Sequence, residues 1–272
     1  MQKIMEKRKL RGRAVATIVI IICVAVTVTV YFVLRMFNML PNVVQNSSSN
    51  RSSLNGSSLI SSSKPVFSAV DLSLLLLVNK DNIIPPGYSP DLGKVPITYY
   101  YNPTGKDNRF DIRAEPSLVA MIDAAAKDGI ELKIVSGYRT YAYQESNFND
   151  QVKSYLSKGY SSLAASSAAA QFVAPPGTSE HETGLAADIV NAGWYDSKHT
   201  SLTADFDQTA AFKWLNSHCA DYGFILRYLK DKADVTKYSY EPWHYRYVGV
   251  NNAKNIMANG LCLEEYLKAL GK

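Results

Sequence analysis

The sequence predicts an α+β domain behind an N-terminal apolar span, and three observations point there. Amphipathic helical stretches and short β-branched or aromatic runs are mixed without the regular strand–helix–strand alternation of a parallel sheet. Residues 14–34 carry no charge at all. Two compact stretches, residues 179–188 and 241–246, gather histidines and carboxylates that are scattered elsewhere.

The N-terminal part is unlike the rest. Residues 1–13 hold Lys3, Lys7, Arg8, Lys9, Arg11 and Arg13 against Glu6, a net +5 that equals the +5 of the whole chain. Residues 14–272 therefore sum to zero, so the basic balance is no signature of a nucleic-acid partner. The apolar stretch at 14–34 is 21 residues long. At about 1.5 Å per residue a helix of that length crosses the roughly 30 Å hydrocarbon layer. Basic residues before it place residues 1–13 in the cytoplasm and residues 35–272 on the extracytoplasmic side. A cleaved signal peptide is the rival, but residues 35–40, Arg-Met-Phe-Asn-Met-Leu, lack its small-residue cleavage pattern. The expectation is an uncleaved anchor. Residues 35–64 are rich in Ser and Asn, bury too little to fold, and act as a tether.

The folded domain is expected over residues 65–272. Residues 72–80 form an apolar run that suits a buried strand or a buried helix equally, and 82–90 are turn-rich. Ile97-Thr98-Tyr99-Tyr100-Tyr101 favours a strand. Pro116 opens an amphipathic helix through Leu118, Val119, Ile122 and Ala126 that ends at Gly129. Residues 130–135 alternate as a half-buried strand and deliver Ser136-Gly137-Tyr138-Arg139-Thr140. A second helix carries Tyr143, Gln144, Phe148 and Val152, and an Ala/Ser helix covers 163–172. A loop at 173–179 leads to a strand at 185–190 bearing Asp188. Another helix spans 208–222 with Gly223 as its cap. Strands at 224–228 and 244–248 precede helices near 250–259 and 263–270. Cys219 and Cys262 fit either a disulfide or two buried thiols; a nucleophilic role has no supporting motif.

The chemistry lies in the two compact stretches. His181 and, seven residues on, Asp188 join His244 as two imidazoles and a carboxylate, a set that suits zinc with one position left open. Glu241 remains to move protons. Its spacing of three from His244 would put the two on opposite faces of a regular strand, so Pro242 implies a turn or bulge. Glu182 beside His181 resembles the start of H-E-x-x-H, but position 185 is Leu and Gly184 weakens a helix. It is expected as a surface or loop carboxylate. Arg139, at a strand end, suits carboxylate binding or oxyanion stabilisation, with an ordinary surface arginine as the alternative that its position leaves open. His199 and His218 are expected to be structural.

Three motifs in this order, S-G-Y-R-T-x-x-x-Q from Ser136, S-x-H-x-x-G-x-A-x-D from Ser179 and E-x-W-H-x-R from Glu241, resemble the VanY-type zinc D-alanyl-D-alanine carboxypeptidases. Residues 77–80 and 88–92 resemble that family's N-terminal region too. The resemblance covers about residues 72–270. It implies zinc on His181, Asp188 and His244, with Glu241 as base and Arg139 polarising the substrate. Gln144 and Ser179 would contact its terminal D-alanine. The implied fold is a small α+β one shared with hedgehog-type domains, helices around a central antiparallel sheet. The implied substrate is the peptidoglycan stem peptide, which lies outside the membrane, as the anchor requires. Two alternatives stay open: an L,D-carboxypeptidase acting on tetrapeptide stems, and a metal-stabilised module that binds peptidoglycan without cutting it. Glu241 argues against the second.

Overall fold

The computed structural model describes residues 70–102, 107–196 and 198–272. The expected span at 14–34 and linker at 35–64 lie outside the described residues. Among those described, no helix is long and apolar enough to cross a membrane. A two-stranded ribbon pairs β1 (Leu92–Lys94) with β2 (Arg109–Asp111). The main sheet contains β3 (Leu132–Ser136), β4 (Ala186–Asn191), β5 (Phe224–Tyr228) and β6 (Glu241–Tyr247), in the order β3-β4-β6-β5. All its pairings are antiparallel. Around it stand α1 (Glu115–Lys127), α2 (Tyr141–Ser157), α3 (Ser162–Ala169), α4 (Ala210–His218), α5 (Ala233–Thr236), α6 (Val250–Ala258) and α7 (Leu263–Ala269). The α+β expectation holds.

The pleat divides the sheet into two working faces. Phe224, Leu226, Tyr245, Tyr247, Ala187 and Ile189 join one apolar cluster with Leu118 and Met121 of α1 and Leu215 of α4. Ile225 and Val248, of opposite parity, join a second cluster with Ile256 of α6 and Leu263 and Tyr266 of α7. Asp188, Arg227, His244 and Arg246 share that second parity, so the sheet's polar residues emerge opposite the main core. Helix α1 behaves as its sequence suggests, with Pro116 in the first turn and Leu118, Met121, Ile122 and Ala125 buried. Helix α2 is largely solvated; Gln144 is its buried residue.

Several local expectations change. Residues 97–101 are not a strand: Ile97–Tyr99 is a 3-10 turn after Pro96, and only Tyr100 bridges, to Ile134. Residues 72–80 are neither strand nor helix beyond a 3-10 turn at Leu72–Leu74. Two of their carbonyls are instead taken by a side chain, Arg246 Nη2 donating to Leu74 O at 3.1 Å and Leu76 O at 3.0 Å. Strand β6 starts at Glu241, with Pro242 inside it. Four residue steps along β6, from Tyr245 to Glu241, match two along β5, from Leu226 to Tyr228, and this irregularity is the expected bulge. Cys219 and Cys262 are free and buried, and burial pushes their thiols up to about 12 and about 11.

Gly223 caps the turn after α4 at φ 82°, and a Cβ there would sit 2.7 Å from Tyr247 Cε2 and 3.0 Å from backbone atoms of Gly249 and Val250. Gly129 has a similar φ of 78° and open space around it. Gly129→Ala should cost about 1–2 kcal/mol, the left-handed penalty alone. Gly223→Ala should cost clearly more, and comparison of their urea midpoints checks this.

Candidate metal centre and active site

Asp188 and His244 are direct partners in the β4–β6 register, which puts their side chains side by side on the polar face of the sheet. His181 comes from the 3-10 turn Glu180–Thr183, which lies against the end of β4. That turn closes on Gly184 at φ 73°, where a Cβ would meet Leu92 Cδ2 at 2.9 Å. His181 Nε2 lies 3.2 Å from Asp188 Oδ2, and His244 Nδ1 lies 3.2 Å from Asp188 Oδ1. All three ligand atoms fall within 4.8 Å of one another. Ligands at zinc bond lengths in a tetrahedron are about 3.3 Å apart, so the donor set fits such an ion with little movement.

Both imidazoles are already oriented. His181 Nδ1 contacts the Gly137 carbonyl at 2.7 Å, and Arg139 N donates to the His181 carbonyl at 3.1 Å. Gly137 is needed there, since a Cβ would lie 2.7 Å from Tyr100 Oη. His244 Nε2 contacts Glu180 Oε2 at 3.3 Å. With one nitrogen of each ring held by an acceptor, His181 Nε2 and His244 Nδ1 are left facing Asp188. Burial, with Arg139 nearby, lowers the His181 pKa and favours its neutral, ligating form. Burial also pulls on His244, but Asp188 and Glu180 at its two nitrogens carry it up to about 9. The cluster thus attracts positive charge to its centre, which a divalent cation would supply.

Glu180 is the buried anchor behind this centre. Its Oε1 accepts from Arg227 Nε at 2.7 Å and Arg246 Nη1 at 2.9 Å. Arg227 in turn forks to Glu264 at 2.7 and 2.9 Å. Burial opposes the Glu180 charge, yet the two guanidiniums hold its carboxyl well below the usual range. Burial likewise opposes charge on Asp188, but His181, His244 and Arg139 keep it ionised.

Glu241 Oε2 lies 3.7 Å from His244 Nδ1, brought to the ligands' side by the β6 irregularity. Burial pushes its pKa up to about 7, with Asp188 adding and His244 opposing. A second irregularity, between Ile134 and Ser136, lies just before Arg139. Arg139 donates from Nε to Ser136 Oγ at 2.8 Å, from Nη1 to Gln144 Oε1 at 3.3 Å and from Nη2 to Asp188 Oδ2 at 3.0 Å. Arg139, Ser179, Glu241 and the ligands open onto a cleft of about 940 Å³, with Tyr195, Tyr228, Tyr238 and Trp243 among its walls.

The structure therefore brings His181, Asp188, His244, Glu241, Arg139 and Ser179 together. Gln144 is close but differently engaged: it is fully buried, and its Nε2 donates to Ala174 O at 2.7 Å while its Oε1 holds Arg139. Glu182 is a correction. It is not on the surface but buried, accepting from Gly177 N at 2.9 Å and Ser179 N at 3.4 Å, because the tight 3-10 turn folds it under its own loop. His199 sits between Asp196 and Asp205 and stacks on Trp194; His218 stacks on Trp214. Sequence reasoning missed Glu180, Arg227 and the role of Arg246. The H-x-R spacing in β6 was the available signal, since it puts Arg246 on the His244 face.

Glu180→Gln leaves two buried guanidiniums short of a countercharge and loosens His244. It should lower stability by about 3–5 kcal/mol, as breaking a buried ion pair does, and weaken metal affinity by about 10–100-fold. Urea denaturation and competition with a chromophoric chelator measure the two effects.

The family model for VanY D-alanyl-D-alanine carboxypeptidases matches residues 107–250, which include all of these ligands. A D-alanyl-D-alanine carboxypeptidase of Enterococcus faecalis is 42% identical over 193 residues, 71% of this chain and 65% of that protein. A mutant of the VanY D,D-pentapeptidase from a VanB-type resistance cassette, solved in complex with Zn(II), is 42% identical with a TM-score of 0.60. It aligns over 71% of this chain and 98% of its own. The LD-carboxypeptidase LdcB is 41% identical with a TM-score of 0.61, over 71% of this chain and 85% of that one. With the family match over more than half its length and the ligand geometry in place, the chain belongs to the VanY family of D-alanyl-D-alanine carboxypeptidases.

Proposed function

We propose that this chain is a membrane-anchored zinc carboxypeptidase that removes the C-terminal D-alanine from peptidoglycan stem peptides on the extracytoplasmic side. The observation that carries the reading is Glu241, a partly buried carboxylate whose pKa is pushed up to about 7 and which lies 3.7 Å from His244 Nδ1. A module that only bound peptidoglycan would not need it. The Zn(II) in the related VanY structure supports zinc at His181 Nε2, His244 Nδ1 and Asp188. When bound, the ion supplies a Lewis acid and makes water acidic enough to react near neutral pH.

The chain's own residues do the rest. Glu241 takes a proton from the attacking water and returns it to the departing amine. Arg139 points its guanidinium into the cleft beside Asp188 and stabilises the negative charge that grows on the scissile carbonyl oxygen. Gln144 acts through Arg139, holding its Nη1 and tying it to the loop at Ala174. Ser179 lines the cleft, where it contacts the terminal residue of the substrate.

A second reading, cleavage of an L,D bond in a tetrapeptide stem, is favoured by the similarity to LdcB at 41% identity. Mass analysis of products from defined pentapeptide and tetrapeptide stems separates the two: loss of D-alanine from the tetrapeptide alone would replace the D,D assignment.

The wild-type protein should carry one zinc per chain by elemental analysis, and His181→Ala or His244→Ala should lose most of it. Glu241→Gln should keep metal and fold, because the amide is nearly isosteric but cannot accept a proton. Its turnover should fall by at least about 10²–10⁴. Full metal in both His variants, or full activity in Glu241→Gln, overturns these roles. For the anchor, the full-length protein should stay in the membrane fraction, its domain open to external protease. A mature N-terminus found between residues 35 and 63 would show instead that the apolar stretch is cleaved.

A further inference from the structure

The 173–182 segment that carries the metal motif walls two separate cavities. One is the catalytic cleft. The other, about 430 Å³, shares no lining residue with it and is built from prolines, isoleucines and the rings of Tyr88, Tyr138 and Tyr141. Glu182 contributes the one charge among its lining residues. That carboxylate is only 6% exposed. Its Oε1 is spent on the backbone N–H groups of Gly177 and Ser179, whereas Oε2 accepts no hydrogen bond among the described residues.

Aromatic walls with a carboxylate form a site for an organic cation: the ring faces attract positive charge, and the carboxylate supplies the countercharge. No lysine or arginine lines the pocket; Arg139 lies near enough to act on Glu182 but is itself paired with Asp188 at 3.0 Å. Arg109 lies over the Tyr138 ring at 5.0 Å, but Asp107 at 2.6 Å offsets its charge. One carboxylate among tyrosines and prolines is too few oxygens for a hard metal ion. The open Oε2 calls for an N–H donor, which a quaternary ammonium lacks. From this we propose that the Tyr88–Tyr138–Tyr141 pocket over Glu182 binds a primary ammonium group on a peptide side chain, as a second site apart from the catalytic cleft. The proposal does not depend on peptidase activity, since the pocket holds no catalytic residue.

The test uses the full chain with ring-labelled tyrosine and NMR, tyrosine signals being assigned by Tyr→Phe substitution. The probe is Nα-acetyl-lysine amide, which has the amine but no carboxylate for the cleft; its Nε-acetylated form and choline are the comparisons. Saturable shifts are expected at Tyr88, Tyr138 and Tyr141, absent with the Nε-acetylated form and weaker with choline. Glu182→Gln keeps an acceptor for Gly177 and Ser179 but loses the charge, and should weaken the lysine probe at least tenfold. Tyr141→Ala removes a ring that is 58% exposed, so it spares the fold and should weaken binding too. The proposal is overturned if the shifts fall only on the cleft residues Tyr228 and Tyr238, or if choline binds more tightly. Unchanged affinity in Tyr141→Ala, or in Glu182→Gln, has the same force. Turnover of stem peptides is a separate readout, so its failure would overturn the proposed function and leave the pocket standing.

Discussion

The buried carboxylate of Glu180 is the contact on which the rest of the structure depends. It takes Arg227 from β5, Arg246 and His244 from β6, and through Arg227 it reaches Glu264 on α7. Arg246 also reaches the carbonyls of Leu74 and Leu76 and so straps the segment around them across the sheet. Each partner would be costly to bury alone. Because Arg227 is paired with carboxylates on both sides and Arg246 spends its other donors on carbonyls, the network tolerates burial and ties distant segments to one point. That point lies one residue from His181 and in contact with His244, so the geometry of the metal centre and the integrity of the fold rest on the same ions.

Around this anchor the sheet supplies position and the irregularities supply direction. Antiparallel register alone makes Asp188 and His244 neighbours. A regular continuation of β6 would send Glu241 to the other face, and β3 is likewise irregular between Ile134 and Ser136, just before Arg139. Both departures from regular pairing fall at the ends that border the cleft. The result is a graded set of carboxylates. Asp188 is held ionised by the histidines and Arg139 around it, Glu180 by its arginines, and Glu241, with less compensation, is shifted toward neutrality. Three acids within one small region are thereby given different work.

Glu180 and Glu182, two residues apart in a single 3-10 turn, show how finely that turn divides its duties. One points under the sheet to the arginines. The other folds back to hold Gly177 and Ser179 and borders a cavity of its own. The turn therefore borders two pockets at once, Glu180 and His181 lining the cleft and Glu182 the other.

Much of this was legible in the residues themselves. Helix α1, the caps at Gly129 and Gly223, the strand bearing Asp188 and the ligand trio stem from local pattern, because periodicity, glycine conformation and donor chemistry are short-range properties. Pro242 within the E-x-W-H motif even announced the break in β6. What local pattern left open was everything set by partners far away in the chain. The aromatic run at 97–101 has strand propensity but finds only one bridge, at Ile134, and turns after Pro96 instead. Residues 72–80 are apolar enough for either regular form, yet Arg246, some 170 residues later, takes the carbonyls of Leu74 and Leu76, where a regular element would have used backbone N–H groups. Glu180 and Glu182 are chemically alike and nearly adjacent; only the placement of Arg227 and Arg246 on the sheet decides which one anchors the metal centre. Propensity acts over a few residues, whereas a buried charge is settled by whatever the fold brings to it, and that is decided in three dimensions.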